Sequence, residues 1–239
     1  MGKLAVDFRI EIRELWNPGK SDGGSGLLTV WGRKSSSNVQ ALMWCIGELG
    51  LQYRRYDVGH RYGGTDTDAF FQKNPNCTVP VLQDGTNPPL WETGCVLRYL
   101  ASKYADDCFW PTDLLARTEV DRWAEWSKIN VAMEFTVPVF WQVVRTSEQD
   151  KDHEAIRIAI AALEQKFVIA TNQLEKQPFL AGSELTLADI QFGHVLFRYF
   201  NIDIPRANLP ALADYHERLK ERPAYMEHVM VSYDELQVD

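Results

Sequence analysis

The apolar pattern of this sequence changes character once, near Asp106, and that change limits the fold more than any other feature. Before it, short β-branched and aromatic runs such as Leu28-Thr29-Val30-Trp31 alternate with stretches of helical spacing. After residue 110 the apolar residues recur at helical spacing, and no run is typical of a strand of any strength. The sequence therefore predicts an α/β domain followed by an all-α domain.

The first half follows the order β-α-β-α-β-β-α. Strand–helix–strand units favour parallel pairing with right-handed crossovers. Asp84-Gly85 separates the last two predicted strands, Val79-Pro80-Val81-Leu82 and Leu90-Trp91, and so favours a closing hairpin. This is the arrangement of a thioredoxin-like domain.

Four segments are predicted along the chain. They are a flexible N-terminal extension (1–26), a thioredoxin-like domain (27–106), a linker (107–115) and an all-helical domain (116–239). Residues 6–16 alternate partly, which fits either a short added strand or an appended extension outside the fold. The helical domain should contain four helices, over 116–146, 155–176, 186–199 and 211–222. Pro138 is expected to kink or break the first of them.

Composition excludes several classes of partner. The formal net charge is −8, so nucleic acid is not expected to bind. No apolar run reaches the roughly 18 residues of a spanning helix, and no secretory pattern opens the chain, so we expect a cytoplasmic protein without membrane contact. The four cysteines and five histidines lack metal-ligand spacing, so we expect free thiols and no metal.

A run of small polar residues, Ser35-Ser36-Ser37-Asn38, stands where a strand should meet a helix. Such hydroxyls commonly cap the helix. They can also donate a hydrogen bond to an anion, which the positive end of the helix stabilises. A redox Cys-x-x-Cys would occupy this junction in a thioredoxin-like fold. No cysteine is present here, so we expect the protein to activate a thiol that is not its own.

Two further motifs suit the binding of a peptide-like ligand. Val79-Pro80 opens a strand, where a cis bond would let Val79 offer its N–H and C=O to an extended chain. A trans proline at a strand start is the simpler alternative. Glu92-Thr93 precedes a helix, where Thr93 acts either as an N-cap or as part of a site for an α-carboxylate and an α-amine. Thr186-Leu187-Ala188-Asp189 is a capping box, and we expect it to be structural.

Taken together, these motifs resemble the glutathione transferase family. The resemblance runs from residue 28 to about residue 230, and looks most like the bacterial, theta-like members whose first helix opens with a serine. It rests on five motifs in order: Trp31 to Gln40, Asn74 to Leu82, Leu90-Trp91-Glu92-Thr93, Arg98-Tyr99-Leu100 and Leu185 to Ile190. The resemblance implies a homodimer whose thioredoxin-like domain binds glutathione and whose helical domain supplies most of the electrophile pocket.

The resemblance also implies roles for single residues. Ser36 is the first choice for stabilising the glutathione thiolate, with Asn38 and Ser35 as alternatives. The remaining matches concern glutathione binding: Val79 would pair with the cysteinyl unit beside cis Pro80, and Glu92 and Thr93 would hold the γ-glutamyl end. An aromatic stripe at helical spacing fits either the electrophile pocket or the core of the helical domain: Trp123, Trp126, Asn130 and Trp141.

Two positions depart from the family pattern. Cys77 stands where many relatives have glycine, which leaves open a reactive thiol near glutathione or a buried spectator. Thr78 holds a position where some classes have lysine, so the group that binds the glycine carboxylate is open among Arg33, Arg61 and Lys73.

The implied activity is detoxifying conjugation of glutathione to small electrophiles, or glutathione-dependent dehalogenation of them. Two alternatives stay open on the same fold. One is a glutathione-dependent reductase or isomerase, which an accessible Cys77 or Cys45 would favour. The other is a non-enzymatic member that binds ligands or partner proteins, since one fold hosts many activities.

Overall fold

A computed structural model describes residues 10–13 and 27–238. Its sheet has four strands in the order β1-β3-β2-β4: β1 (Ile10–Arg13), β2 (Leu28–Trp31), β3 (Tyr53–Tyr56) and β4 (Val81–Asp84). The central pair β2 and β3 is parallel, and both outer pairs are antiparallel. The predicted strand–helix–strand unit is therefore confirmed. Of the predicted extension only β1 is described, and it is an added strand; the predicted flexibility of the rest concerns residues outside the described ranges.

The predicted closing hairpin is wrong in its extent. Leu90 makes one antiparallel bridge to Leu82 and does not start a strand. Pro88 and Pro89 directly precede it and lack the N–H groups that a ladder needs.

Helices cover the sheet and connect its strands. α1 (Ser37–Glu48) links β2 to β3, α2 (Asp68–Phe71) precedes β4, and α3 (Thr93–Tyr104) follows it. A short 3₁₀ turn lies at His60–Tyr62. α1 is buried along eight consecutive residues from Val39 to Ile46. It packs against α3 and against helices of the second half of the chain, and its apolar residues share one core with those of β2 and β4.

The second half begins with one continuous helical path. α4 (Leu114–Ser127), α5 (Met133–Phe135) and α6 (Gln142–Val144) are joined by two wide π turns, Lys128–Ala132 and Thr136–Trp141. Pro138 lies in the second turn. The expected disturbance at this proline therefore takes the form of a widened turn, which preserves the helical path, because wide turns absorb interruptions of the hydrogen-bond ladder.

The other helices of this half are α7 (His153–Leu174), α8 (Leu187–Gly193), α9 (Leu196–Asn201), α10 (Pro210–Lys220) and α11 (Pro223–His228). The helix predicted over 186–199 is thus two helices, and α11 was not predicted. The predicted capping box is confirmed, since Thr186 N–H donates to Asp189 Oδ2 at 2.8 Å. None of the helices in the described part is long and apolar enough to cross a bilayer.

α1 also joins the two halves. The Trp44 ring meets Tyr225 of α11 edge to face, with 4.8 Å between centroids. At the C-terminal end of α1, Arg222 donates two hydrogen bonds, of 2.8 and 2.7 Å, to the carboxylate of Glu48. The opposite end of α1, its N-terminus, is therefore held in a fixed position against the helices of the second half.

Candidate active site

Ser36 occupies the N-cap of α1, with φ −82° and ψ 125°, and its side chain makes no capping bond. The residue is 9% exposed. Its hydroxyl has no hydrogen-bond partner among the described residues. A buried hydroxyl at a positive helix end is thus available to an anionic ligand atom.

The two alternatives to Ser36 are already engaged. Ser35 donates its hydroxyl to Glu235, and its carbonyl accepts a 2.6 Å bond from Arg198 Nη2. Asn38 Oδ1 accepts a 2.8 Å bond from Lys128 Nζ, which leaves the Nδ2 group of Asn38 as a donor. The ammonium of Lys128 is held in this position by α4 and the wide turn that follows it. Burial lowers the pKa of Lys128, and the charges of Glu92 and Glu125 partly oppose that shift.

Val79 lies beside the start of α1 and precedes β4. The Val79-Pro80 bond is cis, as predicted. Gly32, at the end of β2, makes room for this approach: a Cβ at that position would lie 2.5 Å from Val39 Cγ2 and 3.3 Å from Val79 Cβ. Within the described residues the Val79 backbone pairs with no other backbone group, so both its N–H and its C=O are available. The loop before it is held by Asn74, whose Nδ2 donates to Thr78 O at 2.8 Å.

Glu92 forms the N-cap of α3 in a left-handed conformation, with φ 66° and ψ 109°. Its side chain is exposed, whereas Thr93, the first residue of α3, is buried. A non-glycine residue with positive φ is costly and is concentrated at functional sites. The predicted alternative of Thr93 as the N-cap is wrong, because the cap position belongs to Glu92.

A cavity of about 410 Å³ lies between the N-terminus of α1 and the path from α4 to α6. Residues 35–38 line one side, and Ala132, Met133, Val137 and Trp141 line the other. Of the predicted pocket residues, only Trp141 is in this lining. Trp123 and Trp126 pack on each other, with 5.2 Å between ring centroids, and Asn130 Nδ2 bonds to Trp126 O at 3.2 Å. A larger cleft of about 700 Å³, beside α7 and the C-terminal segment, contains none of the predicted site residues.

Four cations also line the cavity: Arg33, Lys128, Arg145 and Arg198. Arg33 was a candidate only for the glycine carboxylate, and Lys128 and Arg198 were missed. Arg198 is 163 residues away in sequence from Ser35, whose carbonyl it contacts. The local sequence pattern therefore could not show that the two residues lie close together. The one usable signal was an arginine within the apolar run of α9.

None of the four cysteines lines the cavity beside Ser36. Cys45 is fully buried on α1, and burial raises the pKa of its thiol well above the usual range. Cys77 is half-buried and takes a left-handed conformation with φ 53°. Across the described ranges, no group of three or more His, Cys, Asp or Glu side chains is arranged to hold a metal.

The sequence matches two family models along most of its length. The glutathione S-transferase N-terminal domain matches residues 27–102, and the glutathione S-transferase C-terminal domain matches residues 129–223. The chain belongs to the glutathione S-transferase family. The thioredoxin-like domain and the helical domain of such transferases are both present, so the predicted fold class is confirmed.

Two glutathione S-transferases are similar over nearly their full length, and a disulfide-bond oxidoreductase is similar over part of its length. The theta class glutathione S-transferase of Xanthomonas axonopodis pv. citri, solved with glutathione bound, is 39% identical, with a TM-score of 0.82 over 87% of this chain and 99% of that chain. Glutathione S-transferase GstB of Escherichia coli (strain K12) is 28% identical over 206 residues, which are 86% of this chain and 99% of that protein. The disulfide-bond oxidoreductase YghU of the same organism is 30% identical over 172 residues, 69% of this chain and 58% of that protein.

Proposed function

We propose that this chain is a glutathione transferase of the bacterial, theta-like, serine type, which conjugates the glutathione thiolate to small electrophiles. The observation that carries the proposal is the unpartnered hydroxyl of Ser36 at the N-terminus of α1, at the edge of the cavity. A theta class relative that is 39% identical has been solved with glutathione bound, which supports the choice of thiol. We also propose a cytoplasmic, homodimeric, detoxifying enzyme, as the family resemblance implies.

Glutathione would extend along three of the described features. Glu92 and Thr93 at the start of α3 would receive the γ-glutamyl end, and the Val79 N–H and C=O would pair with the cysteinyl unit. The sulfur would then reach Ser36. The glycine carboxylate would lie toward Arg33, because the Arg33 Nη1 atom borders Gly59, which also borders Val79.

The energetics of thiolate formation are within reach of this geometry. A free thiol has a pKa of about 8.5, and lowering it by two units requires about 2.7 kcal/mol of preference for the thiolate. A hydroxyl hydrogen bond to a charged acceptor contributes roughly 1.5–3 kcal/mol, and a helix N-terminus about 0.3–1 kcal/mol. The Asn38 amide and the charge of Lys128 act in the same direction. The thiolate would then attack an electrophilic carbon at the mouth of the cavity.

The test of Ser36 combines turnover, binding and titration. With glutathione and the neutral electrophile methyl 4-chloro-3,5-dinitrobenzoate, Ser36→Ala should lower kcat/KM by roughly 10- to 100-fold. Calorimetry should show glutathione binding within about threefold of the parent, because the backbone contacts remain. Ultraviolet absorbance of the bound thiolate should show its pKa rising in the variant.

Two results would contradict this proposal. Unchanged kcat/KM and thiol pKa in Ser36→Ala would remove the role of the hydroxyl. No detectable binding of glutathione at about 10 mM would remove glutathione itself and favour the ligand-binding alternative. The reductase alternative has less support, because Cys45 is inaccessible and the half-buried Cys77 does not line the cavity beside Ser36. The named oxidoreductase YghU also matches over only 58% of its own length.

A further inference from the structure

The cavity beside Ser36 carries four cationic side chains in a chain whose formal net charge is −8. Arg33 comes from the loop before α1, Lys128 from the end of α4, Arg145 from the end of α6 and Arg198 from α9. No described Asp or Glu is among the residues that line this cavity. Such a concentration of one sign creates a positive field that is focused by the low-dielectric walls.

Arg198 shows the imbalance best. It is 2% exposed, its Nη2 donates to Ser35 O at 2.6 Å, and its Nε has no hydrogen-bond partner in the described part. The guanidinium carbon lies 4.6 Å from the centroid of the Phe140 ring. Burial together with the charges of Arg33 and Arg145 lowers the pKa of Arg198 to about 9. An uncompensated buried cation is costly and marks a place where an anion would restore balance.

The neighbouring cations are also without carboxylate partners. Arg145 stacks on Trp141, with its guanidinium carbon 4.4 Å from the ring centroid, and the Nε of Arg33 has no partner. Within the described ranges, none of the four cations forms an ion pair within 4 Å. Glu235 is the carboxylate whose charge acts on Arg33, but it is engaged by Ser35 and by Arg61 Nη2 at 2.6 Å. The charges of Glu92 and Glu125 reach Lys128 without forming an ion pair within 4 Å. The other titratable groups around Arg33 and Arg198 include Tyr62, Tyr233, His60 and His194.

The opposite wall is apolar and open. Met133 is 59% exposed, Val137 48% and Trp141 40%, and all three line the mouth of the cavity. With Arg33 assigned to the glycine carboxylate of glutathione, Lys128, Arg145 and Arg198 form the remaining cationic end. A ligand that fits both walls has an apolar body at the mouth and an anionic group at that end. We propose that the electrophile taken by this site is an apolar or aromatic compound that carries a carboxylate. This inference rests on the proposed transferase function, and it specifies the substrate class of that site.

The reaction that tests it is an aromatic substitution on two matched electrophiles. The thiolate sulfur of glutathione forms a bond to the ring carbon that bears chlorine, chloride leaves with the bonding electron pair, and the thiol proton goes to solvent. The anionic electrophile is 4-chloro-3,5-dinitrobenzoate, and the neutral one is its methyl ester. After division by the uncatalysed rates, kcat/KM for the carboxylate should exceed that for the ester by about tenfold or more.

Arg145→Gln is the diagnostic variant, because Arg145 is less buried than Arg198 and its side chain stacks on Trp141 without forming a hydrogen bond or ion pair in the described part. It should lower the carboxylate-to-ester ratio about tenfold. The matched control is Arg122→Gln, on the exposed face of α4, where Arg122 pairs with Glu119. The control should leave the ratio within about twofold.

The outcomes separate the substrate class from the activity. Turnover of the ester with no preference for the carboxylate would overturn the inference and leave the transferase function intact. If Arg145→Gln raises KM for glutathione and slows both electrophiles alike, the cations serve the glycine carboxylate, and the inference is wrong. If neither electrophile reacts, the proposed function fails. Calorimetry with unreactive 3,5-dinitrobenzoate and its amide then decides the anion site alone: about tenfold tighter binding of the carboxylate upholds it, and equal binding overturns it.

Discussion

At the scale of single residues, the three polar side chains at the start of α1 are chemically alike but differ in their contacts. The hydroxyl of Ser35 is bound to Glu235, the Oδ1 of Asn38 is bound to Lys128, and the hydroxyl of Ser36 is unpartnered within the described residues. A hydrogen bond to an incoming thiolate is therefore least costly from Ser36, because no existing bond has to be broken.

Replacing Ser35 by alanine separates these roles. Ser35→Ala should change kcat/KM with glutathione and the methyl ester by less than about threefold, since the hydroxyl that it removes faces Glu235. The same assay on Ser36→Ala provides the comparison. A loss in Ser35→Ala as large as that in Ser36→Ala would show that Ser35 is the residue in contact with the sulfur.

The sequence pattern correctly located the small polar run from Ser35 to Asn38 at the junction of β2 and α1, but it did not show which of these side chains keeps an unbound polar group. That distinction depends on Glu235, which is 200 residues from Ser35, and on Lys128, which is 90 residues from Asn38. Propensity and spacing are local signals, so they identify the helix end and its small polar residues. They carry no information about which of those residues a distant helix will engage.

At the scale of elements, the motif at the start of α8 shows how a polar side chain supports a buried helix. Asp189 is fully buried and accepts bonds from Thr186 N–H at 2.8 Å, Leu180 N–H at 3.0 Å and the Tyr215 hydroxyl at 2.9 Å. It thus connects α8 to the preceding loop and to α10. This role follows from the Thr-x-x-Asp pattern for the first contact only; the other two come from tertiary packing.

Asp189→Asn should lower the free energy of unfolding by about 2–4 kcal/mol, because an amide NH₂ cannot accept from the backbone N–H groups that the carboxylate now satisfies. Denaturant unfolding monitored by circular dichroism would measure the change. Asp214→Asn, on the exposed side of α10, is the control and should stay within about 0.5 kcal/mol. A loss below about 1 kcal/mol in Asp189→Asn would mean that the loop and α8 are held by packing alone.

The path from α4 to α6 has two wide turns that helical periodicity alone does not predict. Helical periodicity over 116–146 correctly indicated one long helical stretch, and Pro138 correctly indicated a disturbance. The form of that disturbance depends on what packs around it. Two wide turns keep the path continuous and direct Lys128 and Trp141 toward the cavity. A sequence pattern with a fixed period of 3.6 residues does not register such turns.

At the scale of the whole molecule, the site exists only because two halves of the chain meet. The N-terminus of α1 comes from the first half, whereas Lys128, Arg198 and Glu235 come from the second. The two halves are held together by the buried pair of Trp44 and Tyr225 and by the packing of α8 against α1. Any condition that loosens this interface is therefore expected to disturb stability and the site together.

Two buried histidines of the second half make the fold sensitive to acid. His194 follows α8, and burial followed by the charge of Lys128 lowers its pKa to about 3. His216 of α10 stacks on Phe200 at 4.6 Å, and burial followed by the charge of Lys220 lowers its pKa to about 4. Both imidazoles are thus neutral in the folded protein down to a pH at which they would be charged in the unfolded chain.

The sign of the effect follows directly. Each folded pKa lies below the ordinary value of about 6.5, so the stabilisation is present above pH 6.5 and is lost as the pH falls toward the folded pKa. As the pH falls from about 6 to about 4.5, each histidine should lower the free energy of unfolding by about 1.4 kcal/mol per pH unit.

Urea unfolding at a series of pH values measures this slope. His216→Gln should reduce the slope by about 1.4 kcal/mol per pH unit, the contribution of one proton. His153→Gln, whose side chain is 72% exposed, is the control and should leave the slope unchanged. Should His216→Gln not fold, nuclear magnetic resonance of the parent decides the point, because ring signals of His194 or His216 that titrate near pH 6.5 would show that these imidazoles are not held neutral by the folded structure.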